Sequence, residues 1–287
     1  MIFLRQTPRI ERVLLALAVV HPVPSAINAA SVATLAIIAG GSLLTATLLA
    51  LAMLGFQFSI GAVNDIADVD TDRLWKPRKP IPAGLIGVTS TVVIAILGAS
   101  VGLILSASFG PAVLVLGAMG YASGVAYDVA MRRVGLGWLC YAAAFPLLLT
   151  WAWAASAGSL PPGWPSLLPV AALAGPAIYL GNSLVDAGTD VRAGRPSLAT
   201  QLGPRGARWT LVALMASVLA FAWATLGSIP TLSALALAAG IVATAVIALG
   251  VAMSWQSGPR SLEAGWLLQA VGLAILAATW LASMAAA

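Results

Sequence analysis

Charge is what this chain of 287 residues has least of. Only 8% of its residues are Asp, Glu, Lys or Arg, against roughly a quarter in an ordinary globular domain. So few charges exclude a soluble surface, and a 61% hydrophobic composition excludes a disordered chain. The single cysteine, Cys140, excludes an intramolecular disulfide and any cysteine-built metal site. The single histidine, His21, has no partner histidine with which to hold a metal. A net charge of +5 is too thinly spread for a nucleic-acid footprint, so nucleic acid is not an expected partner. What is present is apolar length: the mean hydropathy is +1.00. That reads as a polytopic integral membrane protein surrounded by lipid.

A spanning helix needs about 20 mostly apolar residues. Nine stretches qualify, at 22–40, 43–63, 85–106, 111–130, 136–156, 166–185, 209–227, 231–254 and 264–284. The expected fold is therefore all-α, a transmembrane bundle of nine helices in one domain spanning 1–287. Arg5–Val20 has a basic start and a short apolar run with no cleavage site, which suggests an interfacial helix rather than a signal peptide. In the nine-span scheme all 14 Lys and Arg fall on one side, in the N-terminal tail and the loops after the even spans. The positive-inside rule then places the N-terminus in the cytoplasm and the C-terminus outside. The nine acidic residues lie on or near the same side. Polar chemistry is expected at the cytoplasmic mouth, in the loops 64–84 and 186–208, and a prokaryotic plasma membrane is the expected location.

The first loop opens with Asn64, Asp65, Asp68 and Asp72. If the second span continues into it, Asp65, Asp68 and Asp72 share one helical face, while Asp70 points elsewhere. In the second loop Asn182, Asp186 and Asp190 recur every fourth residue. A shift of 118 residues lays Asn64 on Asn182, Asp68 on Asp186, Thr71 on Thr189 and Asp72 on Asp190; Asp65 falls on Ser183. A basic-Pro turn follows each segment, at Lys79-Pro80 and Arg195-Pro196. These clusters end spans two and six, which suggests two repeated four-helix units plus one helix, with a site between the halves. Five converging carboxylates repel one another. Mg²⁺ resolves that repulsion, because it takes one or two carboxylates together with waters and substrate phosphate oxygens. Nearby Arg and Lys could clamp the remaining phosphate oxygens.

At these residues the chain resembles the UbiA superfamily of intramembrane prenyltransferases. Asn64-Asp65-x-x-Asp68-x-x-x-Asp72 is similar to that family's first acidic motif, and Lys79-Pro80-Ile81-Pro82-Ala83-Gly84 to its downstream turn. Asp186-x-x-x-Asp190, with Gly194-x-x-Ser197-Leu198 and Leu202-Gly203, resembles the second motif. Tyr127 with Arg132-Arg133 resembles the family's tyrosine and basic pair. The chain departs at Ser183, where an acid is usual, and at His21-Pro22 and Lys79-Pro80, where Arg-Pro is usual. The short spacer after Asp72 is similar to the chlorophyll-synthase and archaeal ether-lipid branches. The resemblance implies transfer of an isoprenyl group from a polyprenyl diphosphate to a lipophilic or aromatic acceptor of unknown identity. It also implies Mg²⁺ held by Asp65, Asp68, Asp72, Asp186 and Asp190 as the catalytic set. Arg73, Arg78, Lys79, Arg132 and Arg192 are then candidate phosphate clamps. Asn64, Asn182, Tyr127 and Asn28 are candidates to orient substrate or shield a cation; Asn28 could equally make a helix–helix hydrogen bond.

Other features have plainer expectations. Trp138, Trp151, Trp153, Trp164 and Trp255 fall near predicted helix ends and read as an aromatic belt. Gly117, Gly120 and Gly124 read as close-packing positions. Asp128 is expected mainly as a local partner of Arg132, and His21 as a phosphate contact or an interfacial anchor. The competing functions are a non-catalytic prenyl-lipid binder, a cation- or proton-coupled transporter, and a CDP-alcohol phosphotransferase. The transporter wants charges near the bilayer midplane. The phosphotransferase pattern lacks its Asp-Gly and Ala-Arg residues here.

Overall fold

The computed structural model describes residues 16–161, 163–229, 232–256 and 258–286. Among these, nine helices are long and apolar enough to cross a membrane, and there is no strand. The chain order is α1 (Pro22–Ile38), α2 (Leu43–Ala67), a short α3 (Val69–Trp75), α4 (Val88–Ala107), α5 (Pro111–Val129), α6 (Gly137–Ala157), α7 (Trp164–Arg192), α8 (Leu198–Gly227), α9 (Ala234–Met253) and α10 (Pro259–Ala285). Of the stretch expected as an interfacial helix, only the end is described, with Leu17–Val20 forming a 3-10 turn.

Local chemistry sets these boundaries. Prolines occupy the first turn of α1, α5, α7 and α10, where a missing N–H costs nothing. The Ser42 and Ser233 side chains accept the free backbone N–H of Thr45 and Ala236. Helix extends into both polar loops, in the first through Ala67 and then Val69–Trp75. The membrane helix α7 runs on through Asp186 and Asp190 to Arg192. A capping box between Ser197 and Thr200 starts α8 at Leu198, eleven residues before the apolar run, and the chain then kinks at Gly203-Pro204, where Gly203 has φ 68°. Hydropathy marks where a helix is apolar, while caps mark where it starts.

The pairing repeats between the halves. In the first, α1 packs on α2, α2 on α4, and α4 on α5; in the second, α6 packs on α7, α7 on α8, and α8 touches α9. The ring closes where α10 joins α9 and α7 and reaches α1. Lipid offers no hydrophobic gain over Leu, so helices associate where small residues let backbones approach. A Cβ on Gly98 would stand 2.6 Å from the Gly55 carbonyl oxygen, and one on Gly250 would stand 2.6 Å from that of Gly265. Gly98→Leu should therefore push α2 from α4 and cost about 1–3 kcal/mol by overpacking. It should appear as a lower unfolding temperature in detergent, and unchanged melting would contradict this packing.

The tryptophan belt is corrected by the structure. Trp151, Trp153 and Trp164 are only 2–4% exposed and belong to the core. Trp153 and Trp164 pack at 5.1 Å between ring centroids, and Trp164 Nε1 donates to Thr150 Oγ1. Trp255 does sit outside, against the exposed Trp209 and beneath the Arg208 guanidinium.

Candidate active site

The first acidic segment is not one continuous helical face. The helix α2 stops at Ala67, Asp68 has φ −99° and ψ 2°, and α3 begins at Val69. Arg133 Nη2 donates to the Ala67 carbonyl and closes the end of α2. The break divides the aspartates between two cations. The Lys79 ammonium lies 2.7 Å from Asp65 Oδ1 and 2.7 Å from Asp72 Oδ2. Arg132, from the 3-10 turn Met131–Val134 after α5, reaches Asp68 Oδ1 at 2.5 Å. Asp70 points away and pairs with Arg73 in the open.

Asp65 and Asp72 are buried, at 3% and 2% exposure, so their charges need Lys79. Burial alone would lower the Lys79 pKa, but its hydrogen bond to Asp65 and the charges of Asp65 and Asp72 outweigh it and hold it above the ordinary lysine value. Arg132 follows the same logic: burial opposes its charge, while Asp68 and Asp128 raise its pKa. His21 Nε2 stands 3.4 Å from Asp65 Oδ1. It has the left-handed φ of 48° immediately before Pro22, an uncommon geometry for a residue with a side chain. A Cβ on Gly61 would come within 2.9 Å of the His21 ring, so the glycine lets the ring approach.

Below this mouth lies a cavity of about 560 Å³ between the helices. Its charged end is lined by His21, Asn28, Asn64, Tyr127, Asp128 and Asn182. Asn64 Nδ2 donates to Asp128 Oδ1 at 2.6 Å, and Arg132 Nε lies 3.7 Å from the same oxygen. Asp128 is thus a buried wall of the cavity as well as a partner of Arg132. The helical spacing Gly117, Gly120, Gly124, Asp128 held that signal, since all four share one face. Tyr127, Tyr141 and Tyr179 gather with ring centroids 5.3–6.2 Å apart, a cluster beyond the reach of sequence spacing.

The second acidic segment differs. Asp186 is exposed and Asp190 half-buried, and neither has an ion pair among the described residues. Arg73, Arg78 and Arg192 are exposed. Ser183, matched to Asp65 in the repeat, is buried at 5% exposure.

No group of three or more His, Cys, Asp or Glu among the described residues is close enough to hold a metal alone. The donor set still fits Mg²⁺. It consists of hard carboxylate oxygens, and the buried Asp72 Oδ2 has no aligned hydrogen bond despite its contact with Lys79. Mg²⁺ needs only one or two protein carboxylates where a substrate phosphate completes the shell.

The bundle and its charged mouth define a multi-pass membrane protein built around a largely apolar pocket with a charged entrance. The chain belongs to the UbiA prenyltransferase family, whose model matches residues 25–261, and this bears out the resemblance seen in its motifs. Among solved structures it is similar to a digeranylgeranylglyceryl phosphate synthase (TM-score 0.75, 14% identity, covering 96% of this chain and 99% of that one). A UbiA homologue from Aeropyrum pernix K1 matches with TM-score 0.72 and 22% identity over 88% of this chain and 96% of that one. A homologue from Archaeoglobus fulgidus bound to GPP and Mg²⁺ matches with TM-score 0.69 and 20% identity, over 92% and 99%. No curated protein sequence matches significantly.

Proposed function

We propose that this protein transfers an isoprenyl group from a prenyl diphosphate to a lipophilic or aromatic acceptor. The observation that carries the reading is the cavity itself: an apolar pocket within the bundle whose mouth is ringed by Asn64, Asp128 and Asn182, beside Asp65, Asp68 and Asp72. The Archaeoglobus fulgidus homologue, with GPP and Mg²⁺ bound, supports the pairing of ligand and fold. The whole chain acts as one domain, and the positive-inside rule supports a mouth that faces the cytoplasm.

In this reading the diphosphate sits at the mouth and the tail in the cavity. Asp65, Asp68 and Asp72 on one segment and Asp186 and Asp190 on the other would hold Mg²⁺. When bound, Mg²⁺ neutralises the diphosphate and makes it a better leaving group. Lys79 and Arg132, already positioned beside the carboxylates, supply positive charge toward the phosphate oxygens. The C1–O bond breaks with its electron pair leaving on the diphosphate. The faces of Tyr127 and Tyr141, which both line the cavity, stabilise the allylic cation. The acceptor nucleophile then forms a bond to C1 and loses its proton. The apolar walls exclude water that would otherwise trap the cation.

The test uses purified full-length protein in nanodiscs. Prenyl diphosphate should bind with Mg²⁺ and release with EDTA, and slow pyrophosphate formation should accompany binding. Absence of binding at every chain length would overturn the reading. Binding without any turnover, across a broad set of acceptors, would favour a prenyl-lipid carrier.

A further inference from the structure

We propose that the acceptor entering the cavity is uncharged and carries a hydroxyl, which donates a hydrogen bond to Oδ2 of Asp128. The inference rests on the prenyl-transfer reading above and adds the chemical class of the second substrate and the residue that selects it.

A carboxylate on a spanning helix is costly unless something uses it. Asp128 lies at the end of α5, lines the cavity and is 2% exposed. Both of its side-chain partners meet the same oxygen. Asn64 Nδ2 donates to Oδ1 at 2.6 Å, and the closest approach of Arg132, from Nε at 3.7 Å, is also to Oδ1. The other oxygen, Oδ2, takes no hydrogen bond among the described residues, and unlike Asp72 Oδ2 it keeps some open surface. A buried acceptor oxygen without a donor is destabilising. A ligand in the cavity that brings a donor removes that cost.

The surrounding charge excludes an anion. Four carboxylates, those of Asp65, Asp68, Asp72 and Asp128, share two cations, Lys79 and Arg132. Even with His21 protonated beside Asp65, the carboxylates outnumber the cations. No Lys or Arg lines the cavity among the described residues. Mg²⁺, when bound, brings positive charge that its diphosphate partner takes up. An acceptor carboxylate or phosphate would therefore leave water to face Asp128 with no counter-ion of its own.

The chemistry of Asp128 narrows the class further. An ionised carboxylate only accepts hydrogen bonds, so the group facing Oδ2 must donate. An aliphatic amine held beside this carboxylate is protonated, and it then has no free electron pair with which to attack the allylic carbon. A thiol is a weak donor. A hydroxyl has both the proton and the pair. The other polar walls fit an uncharged group as well. Asn28 on α1 and Asn182 on α7 line the cavity with amides that donate and accept without charge.

The experiment measures binding of naphthol, naphthoate and methoxynaphthalene at neutral pH to the full-length protein in phosphatidylcholine nanodiscs, with empty nanodiscs subtracted. The first is neutral and donates, the second is anionic, and the third is neutral without a donor. The parent should bind naphthol about tenfold more tightly than either of the others. Asp128→Asn keeps an oxygen for Asn64 and removes the charge, so it should reduce both ratios to about threefold or less. Bilayer partition is the same for parent and variant, so the change in ratio reports the site. The parent ratios stand as a test even where the variant fails to fold. Naphthoate or methoxynaphthalene bound by the parent as tightly as naphthol, no binding of any of the three, or unchanged ratios in Asp128→Asn overturns the proposal. Prenyl diphosphate binding with Mg²⁺ is measured on the same samples, and its absence overturns the donor reading separately.

Discussion

Replacing Lys79 with methionine should destabilise the protein by about 3 kcal/mol in the absence of divalent cations. The ammonium lies 2.7 Å from both Asp65 and Asp72, and these carboxylates are 3% and 2% exposed. Removing one partner of a buried ion set leaves the others charged and unsolvated, which costs more than the set contributes when intact. Thermal unfolding in detergent with EDTA should show the loss, and Asp72→Asn in the same background should recover part of it. Added Mg²⁺ should raise the unfolding temperature of the lysine variant more than that of the parent, since a ligand bound only by the folded state stabilises it. The pH dependence has a definite sign. Lys79 has its pKa raised in the fold, so its contribution is complete below the ordinary value of 10.5 and is lost only as pH rises through the folded value. Melting between neutral pH and pH 9 should therefore show no loss from this lysine. A variant that melts like the parent in EDTA would mean that Asp65 and Asp72 do not both carry charge in the resting protein.

The span count was legible because each helix crosses lipid on its own apolar run, and the Asn64–Asp72 motif was legible because its residue types recur locally, although the single helical face that spacing suggested is broken at Asp68. Three things were not. The break at Asp68 depends on Arg133 reaching the Ala67 carbonyl from 66 residues away, which no local pattern records. Asp128 looked like a local partner of Arg132 at four residues' spacing, and only the Asn64 contact from α2 turns it into a cavity wall. The tryptophans were misplaced because hydropathy locates helix ends along the membrane normal but not around the bundle. Trp151 faces Ser106 on α4 and lies in the core, while Trp255 faces outward. Gly120 is the converse case: it shares a helical face with Gly117 and Gly124, yet a Cβ there would meet nothing within 4 Å, whereas one on Gly117 would stand 2.9 Å from Trp151 Nε1 and one on Gly124 2.5 Å from Ile60.

The second acidic segment should respond to mutation in the opposite way to the first. Asp186 is exposed at the end of α7, and no described side chain pairs with it, so the resting fold asks nothing of its charge. Asp186→Ala should leave the unfolding temperature in EDTA unchanged, within about 0.5 kcal/mol. Its charge matters only when an anion and a cation enter between the two segments. Electrostatic help of that kind is worth several kcal/mol in a transition state, and each 1.4 kcal/mol is tenfold in rate, so pyrophosphate release should fall about a thousandfold. The stabilisation by Mg²⁺ with prenyl diphosphate should shrink in parallel. Lys79→Met and Asp186→Ala thus separate two uses of charge at one mouth. The first acidic cluster has Lys79 and Arg132 beside it as counter-ions, so its loss is expected to show in stability. The second has no ion pair among the described residues, so its loss is expected to show in the response to ligand. If Asp186→Ala instead melted early and kept its turnover, the assignment would reverse: α7 would be a structural helix end, and Asp65, Asp68 and Asp72 would carry the chemistry alone.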